Sequence, residues 1–428
     1  MTHRQPPHHH QRWVGVLLWC ALFLPFVSAC STPTTVAPTA TPAPTSATTL
    51  VVWHALGGSD EYAYSAVLQA AATTSGVTLV LQRMPLSSIA TDVETAWKQN
   101  RGPHLALLHN NQLPGLAASD AALPLDALLP VPIRERIPAN LRATTQATDR
   151  SGQMHWYGVP VRYSLPVLFY NTRAVLQVPT TTADLFTVGR ALHNPPEWGF
   201  GTDLSVDTMG GYLTAHGGSV VDDRGRVTLG GSGRPGAEAW LAWLAARNND
   251  PELLARLNGV FLVERAVGAG QLAMVVDHSD RVDTYRRVWG DHVGVAALPT
   301  LSETGQAPTP TLQSSALVVN QHLSTAEARA TQAFLTAFLD PSLQAQLATS
   351  GYQPVITGVP FPSGSVTAAI ATAAAGATAT APALLRYDVQ RVMQTAVRQV
   401  LAGVVSPADA ITTADSQLRL LLEGTDQP

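Results

Sequence analysis

The chain has 428 residues, of which 46% are hydrophobic and 13% are charged, and its formal net charge is −4 at pH 7. This length fits two lobes or domains better than one small domain, and the composition excludes wholesale disorder, which requires low hydrophobicity and high net charge. The slightly acidic balance also excludes the basic stripe of a nucleic-acid-binding protein, so we expect no nucleic-acid partner.

The N-terminus has the pattern of a bacterial lipoprotein leader. Two arginines precede an apolar run from Trp13 to Val27, which is short for a membrane span and typical of a signal-peptide core. Small residues then directly precede Cys30. This resembles a lipobox, in which the cysteine is lipidated and becomes the new N-terminus. We therefore predict a signal peptide over residues 1–29 and lipidation at Cys30; an ordinary signal peptide with a chance cysteine is the alternative.

Residues 30–48 have the composition of a tether. Positions 31–48 contain only Ser, Thr, Pro, Ala and Val, which cannot build a core and favour a semi-extended spacer. Cys20 lies in the leader and Cys30 would carry lipid, so no disulfide is expected. No second apolar run is long enough to span a membrane. The pattern predicts an exported protein, anchored by lipid on the outer face of the cytoplasmic membrane, facing a periplasm or the cell surface.

Strands and helices alternate from residue 49 onward. The predicted order is a strand over 49–53, a helix from Ser59 to Gly76, a strand over 77–81, a helix capped by Ser88 and a strand over 105–108. Alternation of this kind predicts an α/β fold with parallel strands. Because ligands bind outside the carboxyl ends of such strands, the loops after Trp53 and Leu108 are candidate site positions.

The C-terminal part is predicted to be helical. Ser324 and Glu327 form a capping box before a helix that Asp340-Pro341 ends. Apolar periodicity over 389–401 predicts another helix, and Ser406-Pro407 begins a further one. The Ala/Thr/Gly-rich stretch 365–382 fits either a weak helix or a loop.

Several segments occur in an order that resembles one protein family. They are residues 50–54 (Leu-Val-Val-Trp-His), 102–105 (Gly-Pro-His-Leu), 156–160 (Trp-Tyr-Gly-Val-Pro) with 168–171 (Leu-Phe-Tyr-Asn), 179–181 (Pro-Thr-Thr), 216–225, 270–274 (Gly-Gln-Leu-Ala-Met), 294–299 and 351–355 (Gly-Tyr-Gln-Pro-Val). The resemblance is to the maltose-binding-like extracellular solute-binding proteins of ABC importers.

This resemblance implies a fold and a function. The implied fold is the α/β, two-lobed periplasmic-binding-protein fold, type II-like and hinge-connected, with a ligand cleft between lobes. Lobe 1 would contain residues 49–160 and 300–350, and lobe 2 residues 161–299 and 351–428. The implied function is capture of a small polar solute, foremost a sugar or oligosaccharide, for delivery to ABC permease transmembrane subunits. A monomer without cofactor or enzymatic activity is expected.

The candidate ligand contacts lie at strand ends, at the expected hinge and in the matched segments. They are His54, His109, Asn110, Asn111, Arg162, Tyr163, Ser164, Asp207, Asp277, Ser279, Asp280 and Tyr352.

Each candidate also has a structural interpretation. His54 could be a loop histidine bonded to backbone. The neutral groups of 109–111, Asn111 foremost, suit polyol hydroxyls but also fit a turn and helix cap. Arg162 could bind an anion or form an interlobe ion pair. Asp207 could be only a helix cap, and the polar loop 277–281 has no metal-ligand spacing, so no metal is predicted.

Two other functional classes compete with that of a transport receptor. A surface sensor would use the same fold and dock to a receptor instead of a permease. A lipoprotein hydrolase acting on glycosides would need placed catalytic groups. The sequence has neither a Gly-x-Ser-x-Gly nor a His-Glu-x-x-His motif, so the interpretation as a binding protein is favoured.

Overall fold

The structure is a computed structural model that describes residues 47–222, 224–256 and 260–424. The predicted signal peptide, Cys30 and the tether up to residue 46 lie outside the described residues.

The described residues form thirteen strands, which are β1 (Thr49–His54), β2 (Thr78–Arg83), β3 (Leu105–His109), β4 (Gln146–Thr148), β5 (Met154–Trp156), β6 (Gly158–Ser164), β7 (Pro166–Asn171), β8 (Trp198–Asp203), β9 (Leu254–Arg256), β10 (Leu272–His278), β11 (Val293–Ala296), β12 (Thr311–Val319) and β13 (Thr378–Ala379).

They also form sixteen α-helices, which are α1 (Gly58–Ser75), α2 (Ile89–Lys98), α3 (Leu113–Ala118), α4 (Val131–Arg134), α5 (Ala139–Ala143), α6 (Thr182–Ala191), α7 (Val206–Met209), α8 (Gly211–Ala215), α9 (Arg234–Asn248), α10 (Val260–Gly268), α11 (Val282–Trp289), α12 (Thr325–Phe338), α13 (Pro341–Thr349), α14 (Val366–Ala375), α15 (Tyr387–Leu401) and α16 (Pro407–Leu422). Short 3-10 helices cover Asn110–Gln112, Ser279–Arg281, Gly290–His292 and Pro382–Leu385.

Local signals account for several helix ends. Ser324 and Glu327 form the predicted capping box, and Asp340 caps α13, which begins at Pro341. Gly76 ends α1 in the left-handed conformation, at φ 70°, which glycine adopts without strain. Ser88 precedes α2 as predicted, but its side chain makes no capping bond.

The Ala/Thr/Gly-rich stretch 365–382, for which the sequence allowed either a helix or a loop, contains a helix. Residues 366–375 form α14, and the Ser365 side chain accepts a hydrogen bond from the backbone of Ala368 at 3.2 Å. A serine cap followed by alanines is enough to start a helix in this context.

The first sheet has six strands. β13, β12, β3, β1 and β2 are adjacent in that order, and β6 also pairs with β12. β1 is parallel to β2 and β3, whereas β12 is antiparallel to β3 and β6. The prediction of parallel strands is therefore correct for β1–β3 and wrong for β12, because alternation of strands and helices along the chain does not determine strand direction. We call this sheet and the helices packed on it the first lobe.

The second sheet has five strands, in the order β11-β7-β10-β8-β9. β8 is parallel to β9 and β10, and β7 runs antiparallel to β10 and β11. This sheet and its helices form the second lobe, in which α15 and α16 pack against α9.

The two sheets are joined where β6 continues into β7. Only Leu165 separates the two strands, and its side chain is fully buried. Residues 161–164, which the sequence assigned to the second lobe, belong to the first sheet through β6. Residues 378–379, also assigned to the second lobe, pair with β12 in the first sheet. The apolar run 159–169 has no turn signal, so its division between lobes depends on hydrogen-bond partners that the sequence does not show.

Several tryptophans belong to the buried core. Trp97 and Trp240 are fully buried, and their indole N–H groups donate to the carbonyls of Pro103 and Met209 at 2.8 and 3.1 Å. Trp243 and Leu244 of α9 are also buried. Among the described residues, no helix is both long and apolar enough to cross a bilayer.

The packing of α6 on β8 requires a glycine. A Cβ atom at Gly199 would lie 2.0 Å from the carbonyl oxygen of Gly189. We expect Gly199→Ala to lower the free energy of unfolding by about 1–3 kcal/mol or more, because the backbone must move. The control is Gly268→Ala at the end of α10, where an added Cβ meets nothing within 4 Å. Chemical denaturation measures both variants, and equal stability of the two would contradict this account of the packing.

Candidate functional site

The carboxyl ends of strands from both sheets meet at the crossing between β6 and β7. The loop after β10 is hydrogen-bonded to this crossing, because the Ser279 backbone N–H donates to the Leu165 carbonyl at 2.9 Å. The Leu165 N–H donates in return to the Ser279 hydroxyl at 3.3 Å. This reciprocal pair brings residues 277–281 of the second lobe beside β6 of the first lobe.

A cavity of about 130 Å³ lies between the lobes at this place. Its walls come from α1, β6, the loop after β10, α11, α14 and the segment after α13. The lining residues are Asp60, Tyr64, Arg162, Tyr163, Ser279, Asp280, Val282, Asp283, Arg286, Ser350, Gly351, Tyr352, Gln353 and Ile370. Five of the residues predicted from sequence are among them: Arg162, Tyr163, Ser279, Asp280 and Tyr352.

Arg162 forms an ion pair with a carboxylate of its own lobe. Its Nη1 contacts Asp60 Oδ2, and its Nε lies 3.3 Å from the Ser315 hydroxyl. Burial raises the pKa of Asp60, and Arg162 opposes that rise. Of the two interpretations left open by the sequence, ion pairing is the one observed, but it joins α1 and β6 within the first lobe. The guanidinium charge is therefore already matched.

A chain of polar contacts runs from the cavity across the crossing. The Ser164 hydroxyl donates to Asp280 Oδ1 at 3.1 Å and lies 3.4 Å from His278 Nδ1. His278 Nε2 lies 3.0 Å from Asp207 Oδ2, although its N–H is not aligned for a hydrogen bond. Asp207 in turn accepts a hydrogen bond from Gln313 of β12. Through this chain, Ser164, Asp207 and Asp280 form one polar network at the lobe boundary.

Three tyrosines supply aromatic surface to the cavity. The rings of Tyr64 and Tyr352 meet edge to face, with centroids 5.2 Å apart. The Tyr163 hydroxyl donates to Gln353 Oε1 at 3.2 Å. Burial raises the pKa of Tyr64 and of Tyr163, so both hydroxyls stay neutral at physiological pH.

The candidates after β1 and β3 lie outside the lining of this cavity. His54 and Asn110 are buried, and each has a side-chain nitrogen, Nδ1 and Nδ2 respectively, without a hydrogen-bond partner among the described residues. His109 Nδ1 lies 3.2 Å from the Ser315 hydroxyl, and Asn111 is exposed. Burial lowers the pKa of His54 and of His109. A ligand role for these four residues stays a prediction.

Asp277 is held within the second lobe. Its Oδ2 accepts the Tyr285 hydroxyl at 2.7 Å, and its Oδ1 accepts the backbone N–H of His278 at 2.7 Å. Burial raises the pKa of Asp277. Ser279 and Asp280 line the cavity, whereas Asp277 does not.

Asp207 is not the cap of its helix. Ser205 occupies the cap position of α7, and its hydroxyl accepts from the backbone of Thr208 at 3.2 Å. The Asp207 carboxylate is thereby left to contact Gln313 and His278.

The sequence interpretation missed six polar or aromatic lining residues, which are Asp60, Tyr64, Asp283, Arg286, Ser350 and Gln353. Asp60 follows β1 within a few residues and lies in the first turn of α1, where an acidic residue also has the ordinary role of balancing the helix dipole. Its position next to a predicted strand end was the signal that could have identified it. Among the described residues, no group of three or more His, Cys, Asp or Glu side chains could hold a metal ion.

The network at His278 makes stability depend on pH. Burial alone would lower the pKa of His278, but contact with Asp207 and the charges of Asp280 and Asp277 outweigh it and raise the pKa above 6.5. A raised pKa stabilises the fold fully below the unfolded-state pKa, and this contribution is lost as the pH rises through the folded-state value. We therefore expect His278→Gln to destabilise the protein more at pH values well below 6.5 than well above it.

Thermal unfolding of wild type and His278→Gln on both sides of this pH measures the difference. Exposed His322→Gln is the control. A destabilisation that stays constant or grows with pH would contradict the expected charge on His278.

Comparisons with known proteins identify the family. Residues 66–382, well over half of the chain, match the family described as bacterial extracellular solute-binding protein. A search of curated proteins found no match. The matched family is one of binding proteins and not of enzymes, so the hydrolase alternative has no support from it.

Solved structures share the architecture. The maltose/maltodextrin-binding domain MalE from Bdellovibrio bacteriovorus, bound to maltotriose, is 16% identical, with 88% of this chain and 100% of that chain covered and a TM-score of 0.69. The cyclic alpha-maltosyl-1,6-maltose binding protein from Arthrobacter globiformis is 18% identical, with coverages of 88% and 99% and a TM-score of 0.73. The GacH receptor of Streptomyces glaucescens is 18% identical, with coverages of 88% and 99% and a TM-score of 0.71. At these identities the likeness shows the fold alone. The chain therefore belongs to the bacterial extracellular solute-binding protein family and has the two-lobed α/β fold of the maltose-binding proteins.

Proposed function

We propose that this protein captures a small polar solute, foremost a sugar, in the cavity between its lobes and delivers it to an ABC importer. The observation that carries the proposal is the composition of the cavity wall. The first lobe supplies Asp60, Arg162 and Tyr163, and the second lobe supplies Ser279 and Asp280. Neither lobe alone presents the complete set of hydrogen-bonding groups, so a solute that contacts both sides favours the closed arrangement.

The charges of the cavity favour a neutral solute over an anion. Both lining guanidiniums have carboxylate partners: Arg162 pairs with Asp60, and Arg286 Nη1 lies 3.5 Å from Asp283 Oδ1. An anion would have to compete with these carboxylates. Sugar hydroxyls can donate to the carboxylates and accept from the tyrosine hydroxyls, and tyrosine rings can pack on apolar sugar faces.

Known relatives of this fold agree with a carbohydrate ligand. The Bdellovibrio domain is bound to maltotriose, and the Streptomyces receptor was studied with acarbose. These ligands belong to those proteins, and they support the proposal of a carbohydrate for this chain through the shared fold.

The lipid anchor and the permease partner complete the proposal. Two sequence features support anchoring on the outer face of the cytoplasmic membrane: the lipobox-like sequence that ends at Cys30 and the Ser/Thr/Pro tether that follows it. The matched family is described as extracellular, which agrees with this location. The closed form would dock on permease subunits, and a cytoplasmic ATPase would power uptake. A surface sensor of the same fold is the alternative, and loss of solute uptake on gene deletion distinguishes the importer from it.

Binding is tested by thermal unfolding of the anchored protein in a detergent that contains no sugar. We expect at least one saccharide from a panel of sugars, polyols, sugar phosphates, amino acids and polyamines to raise the unfolding midpoint. A ligand at 100 times its Kd adds about 2.7 kcal/mol of stability. A midpoint raised by anions only would argue against the sugar assignment. A midpoint that no compound of the panel raises would argue against the proposed capture function.

The same assay tests the contribution of Asp280. We expect Asp280→Asn to weaken binding of the active saccharide by roughly 10- to 100-fold, because a hydrogen bond to a charged acceptor contributes about 1.5–3 kcal/mol. The control is Asp291→Asn, an exposed carboxylate just before the start of β11. Unchanged affinity in Asp280→Asn would remove this residue from the site.

Lipidation is tested by metabolic labelling with a radioactive fatty acid. We expect label in the wild-type protein and none in Cys30→Ala, because the thiol is the acceptor of the lipid. Cys20→Ala, which changes the other cysteine of the leader, should keep its label. Label retained in Cys30→Ala would show that the anchor is elsewhere.

A further inference from the structure

Among the described residues that line the cavity, four have a side chain that is both buried and able to form hydrogen bonds. They are Tyr64, Tyr163, Ser279 and Gln353. A hydrogen-bonding group that is taken out of water needs a partner, because an unpaired one costs free energy. The contacts of these four side chains therefore indicate which groups the protein itself uses and which are left for a solute.

Tyr163 and Gln353 are paired with each other. The Tyr163 hydroxyl donates its single hydrogen to Gln353 Oε1 at 3.2 Å. The Gln353 amide nitrogen donates in turn to the Thr367 carbonyl at 3.3 Å. The Tyr163 hydroxyl is therefore not free to donate to a solute while this bond is intact.

The Tyr64 hydroxyl has no hydrogen-bond partner in the described part of the chain, although Tyr64 is only 3% exposed. Tyr64 is the first buried residue of α1 and lies one turn after Asp60, which pairs with Arg162. Burial raises the pKa of Tyr64, and the charges of Arg162 and Asp60 also act on it. Because an ionised tyrosine carries its charge mainly on the oxygen, the hydroxyl end of the ring lies near these two lining residues.

The Ser279 hydroxyl has a hydrogen that none of the described residues accepts. Its oxygen accepts the Leu165 backbone N–H at 3.3 Å, but the hydroxyl hydrogen is a separate donor. Ser279 is 3% exposed and lines the cavity from the second lobe. Tyr64 lines it from the first lobe. Each lobe thus contributes one buried donor for which the protein supplies no acceptor.

Two unpaired donors favour a solute that can accept hydrogen bonds. Sugar hydroxyl and ring oxygens have lone pairs that accept, whereas a charged polyamine has only donors. A site built to form a hydrogen bond also discriminates against an analogue that lacks the matching atom, because the buried protein group then stays unpaired.

We propose that the Tyr64 and Ser279 hydroxyls each donate a hydrogen bond to the captured solute and make the cavity selective for solutes with acceptor oxygens at two matching positions. This inference rests on the proposed capture of a sugar in the cavity and adds the two residues that bind its oxygens. Tyr64 and Ser279 are specificity-determining residues, one in each lobe.

The test measures Kd by calorimetry on the anchored protein in sugar-free detergent, for wild type, Tyr64→Phe and Ser279→Ala. The probes are glucose, galactose, mannose, maltose and spermidine. We expect each substitution to raise the Kd of the tightest-binding sugar by about tenfold, because one hydrogen bond is lost. Spermidine should bind wild type at least about tenfold less tightly than that sugar.

Analogues of the tightest-binding sugar that each lack one oxygen (the monodeoxy forms and the carbasugar) identify the bonded oxygens. One analogue should bind wild type about tenfold less tightly than the parent sugar, and this difference should largely disappear in Tyr64→Phe, since both partners of one bond are then absent. A different analogue should behave in this way with Ser279→Ala. A purely structural effect would weaken the parent sugar and all its analogues alike.

Thermal unfolding without sugar provides a second readout. Tyr64→Phe removes a hydroxyl that has no partner, so the unfolding midpoint should not fall. Tyr163→Phe removes the bond to Gln353 and should lower the midpoint. Tyr62→Phe changes an exposed tyrosine of the same helix and should keep the wild-type Kd. If Ser279→Ala does not fold, Ser279→Cys takes its place, because a thiol is a weak donor.

The remaining outcomes have defined meanings. An unchanged Kd in folded Tyr64→Phe, or in the folded Ser279 variant, would overturn the role of that hydroxyl and leave sugar capture intact. A lowered midpoint of Tyr64→Phe without sugar would show that the protein itself uses the hydroxyl, and would overturn its role as well. Tighter binding of spermidine than of any sugar, or binding of no probe, would overturn both this inference and the sugar assignment.

Discussion

The site depends on the crossing at Leu165, where one continuous extended segment leaves the first sheet and enters the second. Leu165 is buried and its N–H and C=O are both bonded to Ser279, so the loop after β10 cannot move away from the end of β6 without breaking two hydrogen bonds in an apolar setting. Such bonds are costly to lose, because buried backbone groups have no water to replace the partner. Around the crossing, Val161 and Val167 belong to one apolar core cluster, which joins the two lobes at this point.

This constraint explains why groups from both lobes converge on one cavity. Carboxyl ends of strands point toward the crossing in each lobe, and loops at those ends carry the polar side chains. Arg162 and Ser164 come from β6, and Ser279 and Asp280 from the loop that Leu165 holds. The charges are largely matched within the wall, so recognition relies on directed hydrogen bonds and aromatic surface more than on net charge. This arrangement suits a neutral solute rich in hydroxyl groups.

Part of this arrangement could be predicted from the sequence. Arg162, Tyr163, Ser279, Asp280 and Tyr352 were predicted from strand ends and family-like segments, and all five line the cavity. The partners of these residues could not be predicted. Arg162 contacts Asp60 across 102 residues of sequence, Tyr163 contacts Gln353 across 190, and Ser59 contacts Asp283 across 224. No local pattern connects positions so far apart, because their meeting depends on strand register and on the path of the chain between lobes.

The sequence by itself determined what depends on neighbouring residues. The capping box at Ser324, the glycine stop at Gly76, the apolar face of α15 and the leader with its lipobox-like end are all local patterns, and the ordered family-like segments indicated the α/β fold. Only the tertiary structure decided the direction of β12, the membership of β6 in the first sheet, and the ion pair that occupies Arg162. The physical reason is that helix caps and amphipathic faces are set within a few residues. Strand pairing and cavity walls are set by which distant segments the crossing at Leu165 brings into contact.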